Sequence, residues 1–284
     1  MNLQRAAHRT RLRLILPAAI VAVAALVGAT AQVASAHASS SHVFRWDGGT
    51  KPTIVLEHGA WADASSWSKV IRQLQEDGFT VDAPPNPLRG VTYDANYLTD
   101  FLSTIAGPVV LVGHSYGGFV ITNAATGNAN VKALVYVDAF IPTDGDTLGS
   151  LTGTGSCLGG NASNVAPYPG AQNNDVDLYI KQSVVPGCFA SGLPPSQAAV
   201  IAATQRPQAL STFGQQLTGP PAWETIPSWA VIGTADKVLP PAQQTLMAKR
   251  AGAHITDVNA GHLSMISDPE TVAQVIEQAA QATR

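Results

Sequence analysis

Charge is scarce in this chain: only 12% of its 284 residues are Asp, Glu, Lys or Arg, and the formal net charge is −3. A nucleic-acid-binding surface needs clustered lysine and arginine, so that class is excluded, and a small, neutral partner is expected instead. Cysteine is nearly absent. Cys157 and Cys188 are the only two, and the seven histidines show no CxxC, HxxxH or HExxH spacing, so no metal-site pattern emerges. Internal repeats are missing, and low complexity is confined to the N-terminal region. With 45% hydrophobic residues the chain is not of the disordered class, and its length suffices to bury roughly three quarters of the unfolded surface.

Only one long apolar run is present, from Leu14 to about Val27. Arg5, Arg9, Arg11 and Arg13 precede it and small residues ending "ASAHA" follow, which is the layout of a secretory signal peptide over residues 1–36. Cleavage after Ala36 or after Ala38 satisfies the small-x-small pattern equally. The run falls short of the ~20 residues of a membrane span, so an uncleaved anchor is the competing reading. No cysteine stands nearby for a lipid anchor, and adjacent arginines for twin-arginine export are lacking. The expectation is a secreted protein, extracellular or periplasmic, with no membrane association once the leader is removed. In an exported chain, Cys157 and Cys188 read as a disulfide closing a loop of ~30 residues, with two buried free thiols as the alternative.

Beyond the leader, apolar runs recur and each ends in a turn residue or an acid: "TIVLE" from Thr53, "VVLVG" from Val109, "VKALVYVD" from Val131, "WAVIG" from Trp229 and "AHITDVN" from Ala253. Several are continuously apolar, as expected of strands covered on both faces. Helical periodicity lies between them, over residues 65–75, 93–105, 243–249 and 269–280. Strand alternating with helix predicts an α/β fold with a mostly parallel sheet and helices on both faces. One short strand near Val43 to Trp46 is the most that fits ahead of Thr53. Residues 141–225 break the rhythm: they are rich in Gly, Pro, Ser and Asn, hold both cysteines, and have helical patterns only near 177–183 and 195–203. We read them as a cap inserted into one domain spanning 37–284, lying over the crevice at the C-terminal ends of the strands.

"GHSYG", Gly113 to Gly117, matches G-x-S-x-G, in which a sharp strand-to-helix turn exposes a serine. The motif alone is weak, because a serine opening a helix is ordinarily an N-cap. Its context is stronger: a buried strand precedes Ser115, and a helix begins directly after it at Phe119, Val120 and Ile121. A serine nucleophile needs a base and the base an orienting acid. Asp236 follows the run ending at Gly233, and His262 follows the run ending near Asn259. Asp138 is a rival acid at another strand end, and Asp236 has the alternative of capping the helix near Pro241. His58, His114 and His254 are poorer bases, since they fall in a loop, inside the turn itself and within a strand. For the oxyanion, the backbone N–H of Tyr116 follows the nucleophile, and Ala60 in "EHGAWAD" is the best second donor, ahead of Trp61.

Taken together, "EHGAWADASSW", "GHSYGG", "GTADKVLP" and "GHLSMISDP" resemble the α/β-hydrolase superfamily, in particular its branch of plant methylesterases and hydroxynitrile lyases. The resemblance runs from about Thr53 to the C-terminus and is weakest across the cap. It implies an α/β-hydrolase fold and a Ser-His-Asp esterase without cofactor or metal, with Ser115 as nucleophile, His262 as base, Asp236 as acid, and Ala60 and Tyr116 as oxyanion donors. Hydroxynitrile lyases of this branch carry lysine directly after the catalytic histidine. Here Leu263 follows His262, which argues against cyanohydrin cleavage, while Lys237 beside Asp236 also occurs in esterases. A serine at 115 excludes the aspartate-nucleophile chemistry of dehalogenating and epoxide-opening branches. The function expected is cleavage of small to medium neutral esters or lactones through an acyl-enzyme, with Trp61, Leu148, Leu151, Leu193, Phe213 and Trp223 supplying an apolar pocket. A perhydrolase or haloperoxidase-like activity on the same triad, and a non-catalytic ligand-binding protein, are the other classes the residues allow.

Overall fold

A computed structural model describes Trp46 and residues 49–283. The leader assignment and most of the short strand expected near Val43 lie outside the described residues. Within them the chain runs β1 (Thr53–Glu57), α1 (Ser68–Glu76), β2 (Val81–Asp82), α2 (Val91–Ser103), β3 (Val109–His114), α3 (Tyr116–Ala124) and β4 (Val131–Val137). The inserted segment then contributes α4 (Leu148–Thr152), β5 (Ser163–Pro167), β6 (Val176–Ile180), α5 (Pro195–Thr204) and β7 (Gln208–Ala209). The chain returns as β8 (Ser228–Gly233), α6 (Pro241–Arg250), β9 (His254–Val258), α7 (Ser264–Ser267) and α8 (Pro269–Gln281).

Six strands form one sheet in the order β2-β1-β3-β4-β8-β9, and every pairing is parallel. The five apolar runs supply five of these strands; β2, only two residues long, carries no periodicity and was not legible. All six residues of β3 and of β8 are buried, so both faces of the sheet centre are covered, as their continuous apolar sequence requires. Helix α1 directs Val70 and Leu74 inward and leaves Lys69, Arg72 and Glu76 in water, while α8 buries Val272, Val275, Ile276 and Ala279. Asp268 accepts the Thr271 N–H and Pro269 occupies the first turn, which fixes where α8 begins.

Residues 177–183 are not helical. They belong largely to β6, which pairs antiparallel with β5 and β7 in a three-stranded sheet of the insertion. Apolar Val176, Leu178 and Ile180 alternate with Asp177 and Tyr179, a period-2 signal too short to outweigh local helix formers. The insertion is tied to the rest of the chain by an ion pair between Arg89 and Asp177 and by the Trp61 Nε1–H, which donates to Leu178 O at 2.8 Å. Cys157 and Cys188 form a disulfide with Cα atoms 5.8 Å apart. Closing a loop of this size confers ~3–4 kcal/mol in the chain-entropy model. A variant with both cysteines replaced by alanine should lose that much in urea unfolding; an unchanged midpoint would mean that the bond adds nothing to the folded state.

Candidate active site

The chemistry expected at Ser115 begins with steric demands on its neighbours. Ser115 sits at φ 52° and ψ −121°, a conformation costly for a residue with a Cβ. Its carbonyl accepts the N–H groups of Gly118 and Phe140, and its own N–H donates to Val137 O, so the turn is held from several sides. A Cβ on Gly113 would come within 2.6 Å of Gly117 O, and one on Gly117 within 2.6 Å of Glu57 O. Both glycines are therefore required for β3, the turn and β1 to approach each other.

The turn presents the Ser115 hydroxyl 2.9 Å from His262 Nε2, and His262 Nδ1 lies 2.8 Å from Asp236 Oδ2. Three residues far apart in sequence thus form one hydrogen-bonded chain, with His262 fully buried. Because a carboxylate only accepts, Nδ1 carries the proton of the neutral imidazole and Nε2 is free to accept from the serine. Asp236 is fixed by more than the histidine: Oδ1 accepts the N–H groups of Val238 and Leu239, and Oδ2 also accepts from Gln244 Nε2 at 2.8 Å. The helix after it begins behind Pro240, so Asp236 is not that helix's N-cap. Burial by itself disfavours the imidazolium of His262, but the charge and hydrogen bond of Asp236, with Asp138 adding, hold its pKa above the usual histidine value.

Asp138, the rival acid, makes a different set of contacts. Oδ1 accepts Gly233 N–H at 2.8 Å and Oδ2 accepts Ser264 N–H at 2.9 Å, which clamps the end of β8 to the turn following His262. Burial, then the nearby Asp236 charge, pushes its pKa up to about 6, against the pull of His262 and Ser264. Lys237 donates to Gly187 O in the insertion at 3.3 Å.

Two histidines set aside as bases turn out to be structural parts of the site. His114 Nε2 lies 2.8 Å from the carbonyl of His262 and must donate to it, fixing the backbone of the loop that carries the imidazole. His58 donates from Nδ1 to Gly59 O and accepts Asn86 N–H at Nε2. Burial lowers the pKa of both, His58 to about 4, so neither titrates near neutrality. Their place inside two of the quoted motifs was the available signal; Asn86 and the His262 carbonyl, the partners they reach across the fold, are remote in sequence and could not be read.

The loop after β1 comes close to the serine because residue 59 is glycine: a Cβ there would lie 2.8 Å from Ser115 Cβ. Ala60 and Tyr116 line the same cavity as Ser115, and their backbone N–H groups meet no protein acceptor among the described residues. Two unengaged donors flanking a hydroxyl suit a developing oxyanion. Trp61, at φ 56°, is turned toward the insertion and packs edge-on against Phe189 with ring centroids 6.1 Å apart. The cavity measures about 520 Å³, within the range of small-molecule sites. Trp61, Leu148 and Phe213 line it as expected. Leu151, Leu193 and Trp223 do not: they pack against the hydrophobic core, and the Trp223 indole N–H is taken by Pro142 O.

Three kinds of likeness bear on this arrangement. The curated proteins include a carbendazim hydrolyzing esterase from Nocardioides sp. (strain SG-4G), 37% identical over 112 residues, which cover 34% of this chain and 46% of that protein. The chain thus matches less than half the length of that relative. Among solved structures, a pyrethroid hydrolase from Sphingobium faniae JZ-2 superposes with a TM-score of 0.66 at 23% identity, over 82% of this chain and 98% of that one. Polyneuridine aldehyde esterase superposes with a TM-score of 0.70 at 18% identity, over 81% and 99%. Identities this low establish a shared fold and no more. The family sequence pattern covers residues 54–275, from β1 into α8 and through every motif described above; the chain belongs to the alpha/beta hydrolase family.

Proposed function

We propose that the protein is a secreted serine esterase that cleaves small to medium neutral esters or lactones through an acyl-enzyme. The observation that carries this reading is the continuous Ser115–His262–Asp236 hydrogen-bonded chain opening on an apolar cavity. In the reaction, His262 Nε2 takes the Ser115 proton as Oγ attacks the ester carbonyl, and the oxyanion is received by the N–H groups of Ala60 and Tyr116. The imidazolium then protonates the departing alcohol. Water, activated by the same histidine, releases the acid. Asp236 holds the tautomer and offsets the transient charge. A relative named as an esterase supports the same class, and the disulfide suits an oxidising compartment.

The pH dependence of kcat/KM tests the base. His262 acts only when neutral, and its pKa is held above 6.5, so the rate should fall as pH drops through a single ionisation above that value. His58, near 4, and His114, lower than its usual value, would place the limb in more acidic solution. A profile flat from pH 5 to 8 would remove His262 from the mechanism.

A further inference from the structure

Part of the wall of the cavity over Ser115 is a short segment without regular structure, between α4 and β5. Thr154, Gly155, Ser156, Leu158 and Gly159 all line the cavity, whereas Cys157, in their midst, does not. Gly155 stands at φ 101°, a region that residues with a Cβ avoid. Among the described residues, one hydrogen bond joins residues 154–159 to the rest of the chain, from Cys157 N–H to Lys237 O at 2.8 Å. The others, from Leu158 N–H and Gly159 N–H to Ser156, are local. So few ties leave a segment prone to local opening.

The second tie is the disulfide from Cys157 to Cys188, and its two ends differ. Cys188 and Phe189 are buried, and the Phe189 ring packs against the His262 imidazole with centroids 5.6 Å apart. A Cβ on Gly261 would come within 2.5 Å of Ser191 O, so the chain just after Cys188 is pressed against the residue preceding His262. One end of the bond therefore belongs to the packed surroundings of the triad. The other end sits in the sparsely held wall, which without it would keep a single hydrogen bond to the rest of the chain among the described residues.

We infer that the Cys157–Cys188 bond is a specificity-determining element: it holds residues 154–159 as a preformed wall for the longer half of the ester, acyl or alkyl, that fills the cavity. The inference rests on the reading of Ser115 as nucleophile and deepens it, because it names the esters whose turnover depends on the wall. A loosened wall has to be ordered by the substrate itself, and that ordering entropy is subtracted from the binding energy. An ester too short to reach the wall loses nothing. A bond that only stabilised the fold would act differently, changing the number of active molecules and so the rates with short and long esters in equal proportion.

The test compares a short and a long ester on the same sample: p-nitrophenyl acetate with p-nitrophenyl octanoate for the acyl half, and ethyl acetate with octyl acetate for the alkyl half. The ratio of kcat/KM, long over short, is measured for the wild type and for the double variant Cys157→Ala, Cys188→Ala. Both esters are hydrolysed by the same folded molecules, so the ratio does not depend on how much of the sample is folded. In at least one series it should fall by roughly 10- to 30-fold in the variant, the equivalent of about two buried methylene groups. Ratios within about threefold of the wild type in both series overturn the assignment, whether or not the rates themselves fall; the bond would then serve stability alone. If the variant does not fold, the folded wild type treated with a water-soluble phosphine takes its place and is read in the same way. There the disulfide is reduced to two thiols and the phosphine oxidised to its oxide, with one water supplying the oxide oxygen and both thiol protons, and mass analysis after thiol trapping verifies the reduction. No turnover of any ester by the wild type would instead overturn the esterase reading itself, and the two failures are thus distinguishable.

Discussion

Replacing Ser115 by alanine should lower kcat/KM for chromogenic acyl esters by roughly four to six orders of magnitude, leaving only the contribution of binding and the oxyanion donors. The size of the effect follows from the arrangement: His262 Nε2 is aimed at this hydroxyl at 2.9 Å and makes no other hydrogen bond among the described residues. The variant should nonetheless fold. Alanine keeps the Cβ that strains the turn at φ 52°, and it forgoes one hydrogen bond worth about 1 kcal/mol. Ser115→Gly should be as inactive and yet more stable than Ser115→Ala by about 1–2 kcal/mol, because glycine accepts the positive φ without strain. Kinetics and urea unfolding of the two variants side by side test both statements. Equal esterase rates in wild type and Ser115→Ala would show that the turn is structural and the acyl-enzyme mechanism wrong.

The second large effect separates the two buried aspartates. Asp236→Asn should reduce kcat by about 10³- to 10⁴-fold, because an amide opposite Nδ1 no longer fixes the tautomer that leaves Nε2 as acceptor. Loss of the carboxylate also removes the two largest influences that raise the histidine pKa, leaving only that of Asp138, so the acidic limb of the pH profile should move to lower pH. Asp138→Asn should act chiefly on stability. Both oxygens of Asp138 accept backbone N–H groups, and an amide can replace only one acceptor, leaving the Gly233 or Ser264 N–H facing another donor. The sign of its pH linkage is opposite to that of a paired surface acid. Its native pKa, about 6, exceeds the unfolded value, so the native state alone holds the proton between roughly pH 4 and 6 and stability falls as pH rises through that window. If Asp138→Asn cost more activity than Asp236→Asn without loss of stability, the acid would have been assigned to the wrong strand.

Sequence and fold share the credit for this site unequally. Ser115, Asp236 and His262 are legible because each directly follows a continuous apolar run, and parallel strands in one sheet bring such endings to one edge. The close approach of Gly59, Gly113 and Gly117 could be suspected from the motifs, but its necessity appears only when Glu57 O, Gly117 O and Ser115 Cβ are seen at the positions a side chain would occupy. The structural work of His58 and His114 was hidden, since their partners Asn86 and His262 lie 28 and 148 residues away.

What the sequence determined by itself was therefore local: the burial of β3 and β8, the serine turn, the order of the three polar residues along the chain, and the presence of an insertion with its own composition. Periodicity and turn chemistry act over a few residues, and those features need no more. Tertiary structure decided what depends on distance. It placed Asp236, not Asp138, against His262 Nδ1, made residues 176–180 a strand through pairing with β5 and β7, and kept Leu151, Leu193 and Trp223 out of the cavity while bringing Gln208 into it. Hydrogen bonds between strands and contacts across a cavity join residues whose separation no sequence period encodes, so these choices were open until the chain was folded.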